Sequence, residues 1–78
     1  MITVRYFAAA AEAAGADEER VPAGRLATVR AGLVERHGDA LDVILQRCAL
    51  LADGVRLGPD DDVPDGATLD VLPPFAGG

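Results

Sequence analysis

The sequence contains no lysine, no serine and no tryptophan, and Cys48 is its single cysteine. Without serine, a catalytic Ser-His-Asp triad cannot be built, and one cysteine cannot form an internal disulfide. No apolar run approaches the ~20 residues needed to cross a bilayer, and no basic segment opens the chain. These absences predict a soluble, cytoplasmic protein in a reducing compartment.

Aromatic residues are also scarce, because only Tyr6, Phe7 and Phe75 are present although half of all residues are hydrophobic. The core is therefore expected to be aliphatic. A chain of 78 residues forms one domain, close to the smallest size that folds without disulfides or a metal.

The charge is one-sided, with a net value of −6 and all seven cations supplied by arginine. Nucleic acid and anionic membranes repel such a chain, so we expect neither as a partner. The acidity either serves solubility or steers the protein toward a basic partner, and composition does not decide between the two.

Alternation of apolar and polar residues predicts strands over residues 1–7 and 67–72. Residues 17–23 are at best an edge strand, because Pro22 has no backbone donor. Residues 48–52 and 55–57 flank Asp53-Gly54, which is the favoured two-residue hairpin turn.

Helical patterns lie between these strands. Residues 8–14 are rich in alanine, and Gly15 is placed to end that short helix. Thr28 is the expected N-cap of a helix over residues 29–37. Gly38 fits the left-handed position after that helix, and Asp39 can cap another short helix. The apolar stripes of the two helices are Val29, Leu33 and His37 in the first, and Leu41, Ile44, Leu45 and Cys48 in the second.

A helical crossover between two hairpins predicts an α+β fold with helix on one face of a sheet. A right-handed crossover makes the first and last strands parallel neighbours at the centre of that sheet. This is the β-grasp, or ubiquitin-like, roll: a mixed sheet with one main helix packed on one face. Residues 1–72 form the domain, and residues 73–78 form an extended C-terminal tail.

The body of the chain offers no convincing internal active site. Asp60-Asp61-Asp62 lacks the spacing of a calcium-binding loop and is expected to be a hydrated loop, so we predict no metal site. His37 stands alone at a helix end, where it can interact with the helix dipole. Cys48 is flanked by apolar residues and is expected to act as a small buried hydrophobe.

The tail carries the functional signal. Pro73 and Pro74 favour an extended backbone that projects the following residues by up to about 20 Å. Phe75 is a large apolar group on this stem and is suited to anchoring in a partner's pocket. Ala76, Gly77 and Gly78 reduce the tip to little more than backbone, which can enter a narrow channel and approach a nucleotide closely.

With these features the sequence resembles the ubiquitin-like sulfur carriers, and specifically the small subunit of molybdopterin synthase. The resemblance covers the whole chain, and its most specific part is the last seven residues. It rests on residues 2–8 with 13–15, 51–55, 64–66 and 72–78.

The resemblance implies that this chain is a carrier and not an enzyme. An E1-like adenylating enzyme would use ATP to convert the Gly78 carboxylate into an acyl-adenylate, and a persulfide sulfur donor would turn it into a thiocarboxylate. The large synthase subunit would then receive the tail, with Gly77 and Ala76 in its channel and Phe75, Pro74 and Pro73 docked outside. No stably bound cofactor is implied.

Three alternatives remain open at the level of sequence. The carrier could serve another pathway, such as thiamine thiazole, cysteine or a tungsten cofactor, because the terminal glycines do not separate these. A ubiquitin-like modifier would instead be joined through Gly78 to lysines of target proteins. A passive acidic adaptor would not need Gly77 or Gly78 at all.

Overall fold

The computed structural model describes residues 1–74 of the chain. The predictions that concern Phe75, Ala76, Gly77 and Gly78 lie outside these described residues. The elements follow one another in the order β1 (Ile2–Tyr6), α1 (Ala9–Ala14), β2 (Glu18–Val21), β3 (Gly24–Arg25), α2 (Leu26–His37), α3 (Asp39–Leu45), β4 (Ala49–Ala52), β5 (Val55–Arg56), β6 (Asp62–Val63) and β7 (Thr68–Leu72).

The main sheet has five strands in the order β2-β1-β7-β4-β5. β1 and β7 run parallel at its centre, with Val4 opposite Leu69 and Tyr6 opposite Val71. The other pairs in this sheet are antiparallel. The predicted β-grasp fold is therefore confirmed, including the parallel central pair.

A second, two-stranded sheet joins β3 to β6 and was not predicted. Gly24 lies opposite Val63 and Arg25 opposite Asp62. Two residues are too few for an alternating pattern to emerge. Asp62 belongs to a run of aspartates expected to be loop, so the loop prediction for that residue is wrong, although all three aspartates are exposed.

Helix α2 begins at Leu26, three residues earlier than predicted, and Thr28 is not its N-cap. The Leu26 amide donates to the carbonyl oxygen of Asp61 at 2.8 Å, and the Ala27 amide donates to that of Pro59 at 3.0 Å. Because the loop before β6 satisfies these first amides, no capping side chain is needed.

Gly38 both ends α2 and precedes α3. Its amide donates to the carbonyl of Val34 at 2.7 Å, and its φ of 88° with ψ of −170° lies outside the predicted left-handed helical conformation. Asp39 is the first residue of α3 and makes no capping hydrogen bond, so its predicted role as a cap is wrong. The positive φ at Gly38 lets the chain break between two helices without a connecting loop.

The predicted hairpin turn at Asp53-Gly54 is confirmed. Asp53 and Gly54 both have positive φ, at 48° and 85°, as a two-residue hairpin of the I′ type requires. Asp53 also accepts a hydrogen bond from the Thr68 amide at 3.0 Å, which ties the hairpin to β7. In the turn at Pro64, the Ala67 amide donates back to the Pro64 carbonyl.

The core lies between the helices and one face of the main sheet, and it is aliphatic as predicted, with Tyr6 as its single aromatic member among residues 1–74. Each fully buried leucine contributes about 1.5–3 kcal/mol of burial free energy. The largest fully buried side chains are Ile2, Val4, Leu33, Leu41, Val63, Leu69 and Val71.

Candidate functional site

The tail leaves the domain from the middle of the main sheet. Strand β7 is hydrogen-bonded on both sides, with Val71 opposite Tyr6 and Leu72 opposite Ala49. Pro73 is half-buried and Pro74 is exposed. The segment that carries the predicted reactive end therefore has a fixed base, and Pro73 still lies against the body of the protein.

An outer face surrounds this base on the side of the sheet away from the helices. We define it by Arg5, Phe7, Leu51, Asp70 and Leu72, none of which is fully buried. Asp70 lies between Arg5 and Leu51 in the strand register. The outer face thus combines apolar side chains with an ion pair at the centre of the sheet.

Asp70 is the unusual member of the outer face. Its Oδ1 atom lies 3.6 Å from Nε of Arg5 and is buried, with no hydrogen-bond donor among residues 1–74. The Arg5 guanidinium also lies 5.1 Å from the centre of the Phe7 ring, within cation–π range. A buried carboxylate oxygen without a donor is costly, so a donor from a partner that covers this face would stabilise the complex.

The outer face was not identified from the sequence. The sequence did contain an indication of this apolar surface. Leu51 and Leu72 occupy strand positions at which alternation predicts polar residues. Which strands adjoin β7, and hence which residues gather around the tail, depends on topology.

The sequence suggested that His37 interacts with the helix dipole, and the structure shows further contacts of its side chain. Its Nε2 atom forms a hydrogen bond with Oε2 of Glu19 in β2, and its ring packs edge-on against Tyr6 with centroids 6.0 Å apart. Tyr6 donates from Oη to Glu19 Oε2 at 3.3 Å, and Arg36 lies 3.5 Å from the other carboxylate oxygen. These contacts fasten the end of α2 to the sheet.

Burial raises the pKa of Tyr6, and the neighbouring Glu19 carboxylate raises it further by charge repulsion and by accepting the hydrogen bond. The phenol therefore stays protonated far into the alkaline range. A protonated tyrosine held in a structural hydrogen bond is consistent with a packing role for this cluster.

Cys48 is half-buried and donates from Sγ to the carbonyl of Ile44 at 3.2 Å. Burial raises the pKa of its thiol, so little reactive thiolate is present near neutral pH. Packing, as predicted, is the role that this environment supports.

The described residues contain neither of two other features considered above. Within residues 1–74, no group of three histidine, cysteine, aspartate or glutamate side chains could hold a metal ion. No helix in the same range has the length and apolar character to cross a membrane. The Asp61 carboxylate instead accepts a hydrogen bond from the Gly58 amide at 2.7 Å.

Residues 4–78 match the ThiS family. The chain belongs to this family of ubiquitin-like sulfur carriers and modifiers. The match runs to the last residue, so it includes the tail as well as the domain, and the predicted resemblance to the sulfur carriers is confirmed. No curated protein matches the chain in sequence.

Solved structures of similar proteins have the same fold. SAMP1 from Haloferax volcanii is 24% identical, with a TM-score of 0.85 over 99% of this chain and 98% of its own. A putative molybdopterin converting factor subunit 1 from Pyrococcus furiosus is 24% identical, with a TM-score of 0.76 over 95% and 97%. The complex of subunits 1 and 2 of the molybdopterin-converting factor from Helicobacter pylori 26695 contains a chain 26% identical, with a TM-score of 0.73 over 99% and 97%.

Proposed function

We propose that this chain is the sulfur-carrying small subunit of a molybdopterin synthase, with the Gly78 carboxylate as its only reacting group. The observation that carries the proposal is the tail's origin on the central strand β7, with the glycines Gly77 and Gly78 five and six residues beyond Leu72. A firmly held base and a tip without side chains suit delivery of a small group into another protein's channel.

Activation of Gly78 requires a leaving group, because a free carboxylate is a poor electrophile. In the proposed reaction an E1-like enzyme joins the carboxylate to the α-phosphate of ATP, releasing pyrophosphate. A persulfide sulfur then attacks the carbonyl carbon, AMP leaves, and reduction of the remaining S–S bond by a thiol frees the thiocarboxylate. The chain itself has no lysine side chain to compete for the acyl group.

Docking to the large subunit is assigned to the stem and the outer face. Pro73 and Pro74 direct the tail, Phe75 anchors it, and Ala76 and Gly77 pass into the channel. A partner seated on the outer face would cover Leu51 and Leu72 and could donate to Asp70 Oδ1. The Helicobacter pylori neighbour, which was solved with subunit 2 of the molybdopterin-converting factor, supports a large-subunit partner.

A ubiquitin-like modifier is the second candidate. It is favoured by the high structural similarity to SAMP1, also described as small archaeal modifier protein 1. In that case the activated Gly78 carbonyl would form an amide with a lysine amine of a target. Carriers for other sulfur-containing products remain alternatives of the same chemical class.

Sulfur delivery tests the proposed pathway directly. The thiocarboxylated chain is mixed with a molybdopterin synthase large subunit and the pterin precursor, and dithiolene product is measured together with the loss of thiocarboxylate. We expect dithiolene product to form as the thiocarboxylate is consumed. The matched chain with an ordinary Gly78 carboxylate should give no product. Consumption of the thiocarboxylate only by a thiazole-forming enzyme, or appearance of lysine conjugates alone, would contradict the molybdopterin assignment.

A further inference from the structure

A row of side chains crosses all five strands of the main sheet on the side away from the helices. The strand register places its members directly opposite one another from strand to strand, and residues directly opposite each other point to the same face of a sheet. With strands about 4.8 Å apart, the row is about 19 Å long. We call it the cross-strand row, and it consists of Glu18 in β2, Arg5 in β1, Asp70 in β7, Leu51 in β4 and Arg56 in β5.

The three inner members of the cross-strand row belong to the outer face defined above. Arg5 and Asp70 form an ion pair there, with 3.6 Å between Nε and Oδ1, and Leu51 beside them is apolar. Asp70 Oδ1 lacks a hydrogen-bond donor among residues 1–74. The docking role proposed above uses this centre alone, so the two ends of the row need a separate explanation.

The ends of the cross-strand row carry opposite charges that face solvent. Glu18 and Arg56 are both exposed, and neither forms an ion pair with any residue in 1–74. Four strand spacings separate them, about 19 Å in all, which is too far for an ion pair between the two. The row therefore presents a negative end at β2 and a positive end at β5, with a paired and apolar centre between them.

Such a row fits a partner that carries charges in the opposite order. Unlike charges meet across specific interfaces, and a charge that is left unpaired or meets a like charge disfavours the wrong partner. An interface of ordinary size covers about 800 Å² on each protein, which is enough to include both ends of the row. The net charge of −6 attracts basic surfaces in general. Arg56 would repel such a surface unless the surface held a carboxylate at that position.

We propose that Glu18 and Arg56 determine which large subunit accepts this chain and in which orientation. The subunit places a carboxylate against Arg56 and a cation against Glu18, on either side of the apolar contact at Leu51. A subunit turned by 180° in the plane of the sheet would meet a like charge at each end of the row. This inference rests on the proposed docking of a large subunit to the outer face, and it adds the charges that the subunit must carry.

A charge swap tests the row without changing the net charge. Glu18→Arg combined with Arg56→Glu reverses the order of charges, while the amino-acid composition stays the same. Binding of the complete chain to the molybdopterin synthase large subunit from the same organism is measured by titration calorimetry at low and high salt. The swap should weaken binding by about tenfold or more at low salt. The loss should shrink at high salt, because exposed charges are screened.

The matched control is a second swap, Glu35→Arg combined with Arg47→Glu. Both residues are exposed, Glu35 in α2 and Arg47 just after α3, and the helices lie on the other side of the sheet. This variant should bind like the unaltered chain, and circular dichroism should show every variant folded at the assay temperature. Arg56→Gln removes the positive end without reversing it and should weaken binding less than the swap of the row.

The possible outcomes separate this inference from the proposed function. Equal affinity of the unaltered and row-swapped chains would overturn the inference and leave the carrier function intact. Equal weakening by both swaps would also overturn it, because the effect would not depend on the row. Dimerisation of the unaltered chain that the row swap abolishes would overturn it by identifying a second copy as the occupant. Absence of binding by the unaltered chain would contradict the proposed large-subunit partner, and the inference with it.

Discussion

The domain and the tail of this small chain use their residues in opposite ways. In the domain, side chains stabilise the fold. Aliphatic residues fill the core, and at its edge Tyr6 and His37 each form a hydrogen bond with Glu19. In the tail, the proposed reacting group is the backbone carboxylate, and the last three residues carry at most a methyl group. The comparison indicates that the domain fixes where the tail begins, whereas the tail alone carries the proposed reacting group. Changes in one region should therefore leave the role of the other intact.

The largest expected effect is on the tail. Adding one alanine after Gly78 should abolish thiocarboxylate formation, because the activated carbon would then belong to the wrong residue at the wrong depth in the partner. Gly77→Val should block transfer by crowding the channel. The free energy of unfolding should not change in either variant, and a parallel loss of stability would show that the tail is structural.

A substitution in the core should have the converse effect, lowering stability without changing sulfur transfer. Leu69→Ala should lower the free energy of unfolding by about 2–5 kcal/mol, because Leu69 is completely buried on β7 between β1 and β4. Chemical denaturation measures the loss. Sulfur transfer per folded molecule, assayed at a denaturant concentration well below the unfolding midpoint, should be unchanged. Slower sulfur transfer by the folded molecules would contradict the independence of core and tail.

A smaller effect is expected at the edge cluster. Tyr6→Phe should cost about 0.5–1.5 kcal/mol near neutral pH, because the hydrogen bond to Glu19 is lost. The raised pKa of Tyr6 means that its contribution is complete below the unfolded value near 10 and is lost as pH rises above it. Denaturation at several alkaline pH values should therefore show the gap between the two proteins closing. A constant gap would contradict the assigned environment of the phenol.

The smallest effect is a gain. Gly32 lies inside α2 without a positive φ, and apart from the adjoining residues and backbone of its own helix a Cβ at this position would meet no atom within 4 Å. Gly32→Ala should stabilise the domain by about 0.5–1 kcal/mol, as thermal unfolding can measure. Sulfur transfer should be unaltered, which makes this variant a matched counterpart to Gly77→Val.

The sequence predicted the features that local chemistry determines. Alternation located the central strands, Asp53-Gly54 specified its hairpin, and the polarity of Asp60-Asp61-Asp62 predicted an exposed segment. It misplaced the start of α2, because the partners of the Leu26 and Ala27 amides come from residues more than thirty positions away. The β3–β6 pair was missed because each strand has only two residues, which is too few to show an alternation of apolar and polar side chains.

Candidate sites divide in the same way. The tail could be predicted because prolines and glycines act on their own backbone. The outer face could not be predicted, because it depends on which strands become neighbours. Arg5 and Asp70 are 65 positions apart in sequence and meet only through the parallel β1–β7 pairing.

The central claim is that Gly78 accepts sulfur, and intact mass spectrometry tests it most directly. The chain is incubated with an E1-like adenylating enzyme, ATP and a persulfide donor. The predicted result is an ATP-dependent exchange of one oxygen for one sulfur, located at Gly78 by fragmentation and absent from the chain with an added terminal alanine. An unchanged mass, or conjugates to other proteins without any thiocarboxylate, would contradict the account.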